Sequence, residues 1–498
     1  MDATRTDSVL AETRHMRSHI KGAADHLRNE SAPLRERSPE QILYHRYVTA
    51  GSPHGPVIYA VKGEHWNGVC PDFLEFLNSF SFDREDMGYA ECGYGIQRHR
   101  DVMRKLIVEE HHLTGRQPGG GLEIDVGCLS MTTRMAMYDL AKVAMRHFRK
   151  RAAGGRPAAL VPTPGWDYRG IFRDVGFDIV YLPIRPGNGW LPDLEEWSSI
   201  VRKARERDGR RVALAVSNPQ HNPTGMQWPA DVTTHLLHLC AAESGYLLVD
   251  DAYYAVHDPR VPLVNGLKTV LDAFDRNGGD NALTRSGMFD RWVATRPFGK
   301  QFSCNTMGVA AITASPRLLR DLGRESWINR YHCNTHNAEV MCAWLKTAEA
   351  ARWTLETGMF YARQKERVRQ YLVDRMGWPS SSVCVGPSTS YMIFEVPAVY
   401  HSIPQGIDRF RDDLFYATGT MICASLFNQA APAPYVRLHL GSHYDIIDEI
   451  LRRWIVAGLR YDQPAPFPGP AALTRPIARP EFRRQQEGRT VDEHVPLQ

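Results

Sequence analysis

The chain has 498 residues, 43% hydrophobic and 23% charged, enough for a large α/β domain with a smaller companion. Its formal net charge of only +4 argues against a dedicated nucleic-acid binder. No stretch approaches the roughly 18 consecutive apolar residues of a membrane span, and the opening MDATRTDSVLAETRHMRSHIKG lacks the apolar core of a secretory signal. Nine cysteines, an odd number without a CxxC pair, point to structural thiols in a reducing, cytoplasmic setting. The nearest thing to a metal-ligand cluster is His332-Cys333 with His336, which reads as ordinary helix residues, so no metal is expected.

In chain order, residues 1–55 are polar and charged and read as an N-terminal arm, with helical potential over 9–28. A helix is predicted over 131–149. AALVPTP (158–164), FDIVYLPI (177–184), RVALAVSNP (211–219), GYLLVDDAYY (245–254), RWVATRPFG (291–299) and GVAAITAS (308–315) read as short buried strands, with helices over 194–207 and 231–244. Continuous apolar strands alternating with helices specify a mostly parallel sheet covered on both faces, a doubly wound α/β architecture. From about 334 the pattern changes to a long helix and then strands at 390–396 and 435–441, which read as a smaller α/β domain. The chain from 463 onward is rich in Pro and Arg and reads as an extended or disordered tail.

Four motifs stand at the ends of these strands: SNPQHNPTG (217–225), LLVDDAYY (247–254), FGK (298–300) and PYVRLHL (434–440). NPTG alone is ordinary turn chemistry. The four in this order resemble the class I/II aminotransferases of pyridoxal 5′-phosphate (PLP) fold type I, over about residues 60–460. The resemblance implies a large PLP-binding domain over 96–330 and a small domain built from 56–95 and 331–462. It also implies a homodimer with active sites at the interface and an amino-acid substrate, with no nucleic acid and no membrane as partner.

The chemistry of PLP sets what the motifs must supply. An aldehyde cofactor needs a lysine to hold it as a Schiff base, and its ring nitrogen needs a carboxylate. The resemblance assigns these to Lys300 and Asp250, the first acid of Asp-Asp-Ala-Tyr. Tyr253 and Asn222 match the donors to the phenolic oxygen, and Trp166 in PTPGWDY matches the aromatic that stacks on the ring. Ser130-Met131-Thr132 resembles the small-residue phosphate cup at a helix start, and doubles as an N-cap. Tyr89 in GYAECGYG resembles the tyrosine that reaches the partner subunit's cofactor phosphate, with Tyr94 close by in register. Arg437 in Tyr-Val-Arg-Leu resembles the clamp on the substrate α-carboxylate; an arginine in an apolar strand is costly unless paired.

The sequence departs from the family around Lys300. Pro297 and Gly299 stand where serines are usual, and no arginine follows at the phosphate-binding place, where Thr306 or Gly308 falls. Arg296 and Arg134 are the candidate substitute cations; the other reading is that Arg296 points away and hydroxyls alone serve. The segment between Asp250 and Lys300 is also long, with a polar insertion near 275–285. The expected activity is aminotransferase-type chemistry on an L-amino acid, plausible in specialised metabolism. The alternative is β- or γ-elimination or γ-replacement, resembling ACC synthase and its S-adenosylmethionine substrate. A remote alternative is an aminotransferase-like transcription regulator, which would need a winged helix and linker ahead of the PLP fold, where the resemblance leaves only about 60 residues.

Overall fold

The computed structural model describes residues 38–61, 70–83, 93–113, 123–151, 154–331, 334–424 and 434–467, with positions 16, 24, 28 and 90. Tyr89, His332-Cys333, residues 1–37 of the N-terminal arm apart from positions 16, 24 and 28, and the chain from 468 onward lie outside the described residues.

Among the described residues the strands are β1 (Ile58–Ala60), β2 (Asp125–Ser130), β3 (Arg156–Thr163), β4 (Asp178–Pro183), β5 (Arg210–Ser217), β6 (Tyr246–Asp250), β7 (Trp292–Pro297), β8 (Val309–Ala314), β9 (Val383–Cys384), β10 (Tyr391–Glu395), β11 (Thr420–Ile422) and β12 (Tyr435–His439). The six apolar runs between 158 and 315 are β3 to β8, differing from the expectation only at their ends. β2 has no counterpart in the expected set. Its short sequence DVGCLS carries a glycine where a Cβ would fall 2.8 Å from the Cβ of Tyr94, so close packing there removes the apolar side chain that would have marked a strand.

The main sheet has seven strands in the order β2-β8-β7-β6-β5-β3-β4. β3, β4, β5, β6 and β7 pair in parallel, and β8 runs antiparallel to both its neighbours, β2 and β7. All strands except β8 therefore point the same way, and their carboxyl ends share one edge. Helices cover both faces. On one side Met137 and Leu140 of the helix Thr133–Lys150 and Phe172 of the helix Tyr168–Val175 pack over Leu129, Val161 and Leu248. On the other, Leu236 and Leu237 of the helix Ala230–Glu243 pack over Leu160, Leu247 and Val249. Leu247, Leu248 and Val249 thus serve alternate faces of one strand, which is why it reads as a continuous apolar run. Each fully buried Leu or Val contributes about 1.5–3 kcal/mol.

The helix Ala348–Gln370 leads into a second apolar cluster that includes Val368, Leu372, Phe394, Leu438, Ile447 and Trp454. Here β10 pairs antiparallel with β9 and with β12, where Ile393 faces Arg437. β1 pairs in parallel with β11, and a bridge between Cys423 and Arg437 ties that pair to β12. Among the described residues no helix is long and apolar enough to cross a membrane.

Candidate active site

A cleft of about 550 Å³ opens where the carboxyl ends of the main-sheet strands meet β10 and β12. An open α/β sheet presents its loops to a ligand at this edge. Asp250, Asn222, Tyr253, Trp166, Thr132, Lys300 and Arg437 all line it. Ser130 ends β2 beside this cleft without lining it, and Met131 holds its side chain out, 40% exposed.

Asp250 is the last residue of β6 and is buried. Its Oδ2 accepts a hydrogen bond from the Tyr168 hydroxyl at 2.6 Å, and its Oδ1 accepts from the Thr295 hydroxyl at 3.1 Å. Burial pushes its carboxyl upward, while Tyr168, Thr295 and the charge of Lys300 oppose that rise. Sequence reading missed both donors. Thr295 lies directly opposite Asp250 in the parallel pairing of β6 with β7, so a hydroxyl in an otherwise apolar strand was the available signal. Tyr168 is two residues beyond Trp166 and stands in the same quoted motif.

The loop after β5 is held by the same strand end. Asn218 Nδ2 donates to the Asp250 carbonyl at 2.8 Å, and Asn218 Oδ1 accepts from the Asn222 backbone N–H at 2.9 Å. Asn222 Oδ1 in turn accepts from Arg437 at 3.0 Å. Arg437 also donates to the Val61 carbonyl at 3.0 Å, and its guanidinium lies 4.0 Å from the centre of the Tyr391 ring. Burial works against its charge, but Cys423, Tyr391 and Tyr253 hold its pKa above the ordinary value. Tyr253 is buried and hydrogen-bonded to Tyr391, with ring centres 5.9 Å apart; burial first, and then Tyr391, push its phenol upward. Tyr391, which also lines the cleft, was not singled out from the sequence.

Lys300 lies in the short helix Gly299–Phe302 that follows β7. The unusual glycine before it has a steric cause. A Cβ on Gly299 would sit 2.9 Å from the Asn305 Cα, so the serine usual at this place does not fit. Gly308 has φ +67°, and a Cβ there would lie 3.1 Å from the Met131 carbonyl carbon. A residue with a long cationic side chain would therefore be strained at that point.

Of the two candidate cations, Arg296 is turned away, which corrects its expected place in the phosphate cup. Its guanidinium makes a two-pronged pair with Glu110, at 3.1 and 2.9 Å, and donates to the Pro297 carbonyl and to Gln301. Glu110 closes the helix Gln97–Glu110, far from Arg296 in sequence, so nothing local announced the pair. Arg134 lines the cleft instead, with its guanidinium 4.5 Å from the Trp166 ring centre and 3.5 Å from Asp167. Tyr94, the neighbour in register of Tyr89, is buried in the core with its hydroxyl on Asp139 at 3.0 Å.

The donor set suits a phosphorylated aldehyde. An amine, a buried carboxylate and a buried guanidinium share one cleft. Beside it the helix Thr133–Lys150 starts from Thr132, whose side chain makes no capping hydrogen bond, and the buried Ser130 Oγ finds no hydrogen-bond partner among the described residues.

Residues 143–403 match the family described as Aminotransferase class I and II. The arginine–pyruvate transaminase AruH of Pseudomonas aeruginosa is 21% identical over 236 residues, 46% of this chain and 54% of that protein. The capreomycidine synthase of Streptomyces vinaceus is 33% identical over 101 residues, 20% of this chain and 24% of that one. The chain thus spans about half and about a quarter of the curated relatives it matches. Among solved structures, substrate-bound BacF from Bacillus subtilis superposes with a TM-score of 0.66 at 16% identity, covering 87% of this chain and 99% of that one. A double mutant of Thermus thermophilus aspartate aminotransferase gives 0.65 at 16%, covering 86% and 99%. At that identity the likeness is one of fold.

Proposed function

The chain belongs to the class I and II aminotransferases, and from that premise we propose that it carries PLP on Lys300 and transfers the amino group of an L-amino acid. The observation that carries the reading is the convergence in one cleft of Lys300, the buried Asp250 and the buried Arg437. When bound, PLP supplies a ring that accepts the electrons left at the substrate α-carbon. Asp250 holds a proton at the ring nitrogen, and Tyr168 and Thr295 oppose the rise that burial imposes on its carboxyl. Asn222 commits its carbonyl to Arg437, so its amide N–H serves as donor within the cleft, alongside the Tyr253 hydroxyl. Arg437 orients the substrate by its carboxylate, and the Lys300 amine moves the α-proton.

A homodimer in the cytoplasm is part of this reading. Met131, Trp327, Ile328 and Tyr331 are exposed, and Met131 lies beside the cleft, which supports a partner surface there. The departures around Lys300 keep elimination or replacement as a second reading, and specialised metabolism is a setting for either. A single turnover without keto acid tests the choice. Stoichiometric pyridoxamine phosphate with a keto-acid product supports transamination. Repeated turnover of an amino acid such as S-adenosylmethionine, with the cofactor unchanged, would overturn it.

A further inference from the structure

Lys365 lies on the helix Ala348–Gln370 and is 2% exposed. Its ammonium has no ion pair with a carboxylate among the described residues. Instead Nζ donates to two backbone carbonyls, Gly386 at 2.8 Å and Ser388 at 2.5 Å. A buried lysine that serves only main-chain oxygens is an expensive way to fill space, so the loop it holds is of interest.

That loop, 385–390, touches every part of the cleft that handles the substrate end. The Ser388 N–H donates to the Gly225 carbonyl at 2.9 Å and the Gly386 N–H to the Thr224 carbonyl at 3.3 Å, within the turn that carries Asn222. The approach is backbone to backbone, since a Cβ on Gly386 would fall 2.0 Å from the Gly225 carbonyl carbon. The Thr389 N–H donates to the Val256 carbonyl and the Asp258 N–H to the Pro387 carbonyl, both at 2.8 Å, in the segment that follows Tyr253. At its far end the loop runs into β10 and Tyr391, and the Ser390 carbonyl accepts from the Leu440 N–H, one residue past β12 and its Arg437.

We propose that Lys365 is a positioning residue, which seats the 385–390 loop and so holds Asn222, Tyr253, Tyr391 and Arg437 in register for the substrate carboxylate. The proposal rests on the reading of Arg437 as the carboxylate clamp. The groups facing Lys365 are the Cys384 thiol, the Asp258 carboxylate, which is held in turn by Arg260, and the His257 ring, which contacts Ser388 Oγ at 2.9 Å. Burial lowers the Lys365 pKa to about 7. A neutral amine has two N–H donors for the two carbonyls, so it satisfies the joint without a buried charge. An unseated loop would expose the lysine to water and restore a high pKa. Raising the pH from 6 to 9 therefore favours the seated loop.

The test uses the PLP-loaded protein and K365M. The variant leaves two carbonyls unsatisfied, and KM for the amino acid should rise about tenfold, more than kcat falls. The wild-type to K365M ratio of KM should change with pH across neutrality. Hydrogen exchange of the 385–391 amides should quicken in K365M while the 246–250 strand keeps its protection. If K365M does not fold, wild-type exchange at pH 6 and 8, corrected for intrinsic rates, gives the same answer: 385–391 should be better protected at pH 8. Unchanged exchange in that segment overturns the proposal. Quickened exchange in 385–391 with kcat falling as much as KM rises overturns it too, since the loop would then not act on substrate capture. If the exchange result holds but R437M leaves KM untouched, it is the clamp reading of Arg437 that fails.

Discussion

Tyr168→Phe isolates the electrostatic support of Asp250. The hydroxyl makes the shorter of the two hydrogen bonds to that carboxylate, 2.6 Å against 3.1 Å for Thr295, and it opposes the burial-driven rise of the carboxyl more strongly. Phenylalanine keeps the packing, because the Tyr168 ring lies 5.2 Å from Trp166 and 6.4 Å from Phe172. A hydrogen bond to a charged group is worth about 1.5–3 kcal/mol. Its loss should weaken PLP binding or lower kcat/KM by roughly ten- to 150-fold in total. Thr295→Val should cost less, and the double variant should fall short of the sum, since both donors serve one carboxylate. Cofactor affinity is read by reconstituting the apoenzyme and following absorbance, and kcat/KM from initial rates, with the melting temperature as a control. Wild-type affinity and rate in Tyr168→Phe, at unchanged stability, would refute the role of Asp250 argued here.

Three further outcomes are expected. Lys300→Ala should lose the PLP absorbance of the linked enzyme, and borohydride reduction with peptide mapping of the wild type should label Lys300; a label elsewhere refutes the anchor. Arg437→Met should raise KM for the amino acid by an amount equivalent to about 2–5 kcal/mol, because the substrate carboxylate would be buried without its partner; unchanged KM places the carboxylate elsewhere. Asp251 gives a pH dependence. It is buried, its Oδ1 has no hydrogen-bond partner among the described residues, and burial with the neighbouring Asp250 raises its pKa to about 8. A raised carboxyl pKa stabilises the fold below the unfolded value near 3.8, and this stability is lost as pH rises through about 8. Asp251→Asn should therefore gain on the wild type between pH 5 and 8, by at most about 4 kcal/mol, in denaturant melts; parallel pH curves would count against it.

Much of the site's membership was written along the chain. Asp250 ends a buried strand, Asn222 and Lys300 follow within a few residues of two others, and Arg437 is a charge inside one. The pattern of apolar runs fixes where strands end, and in a parallel sheet every such end reaches the same edge, so local sequence was enough to bring these residues together. The same local logic explains Trp166, two residues past β3 and its following proline.

Long-range packing decided the rest. Arg296 beside Lys300 and Arg134 at a helix start were both candidate cations, and Glu110 on another helix, together with Gln301 and the Pro297 carbonyl, engages the first. Gly299 departs from the family because Asn305 folds back against it, a contact no alternation of residue types encodes. Tyr391, from β10, lines the cleft, and Lys365, from a helix of the second cluster, meets the Gly386 and Ser388 carbonyls of the loop before it. Hydrophobic periodicity places residues on a face of a strand or helix. Which polar side chains then meet is set by the register between elements distant in sequence, where each buried donor must find an acceptor.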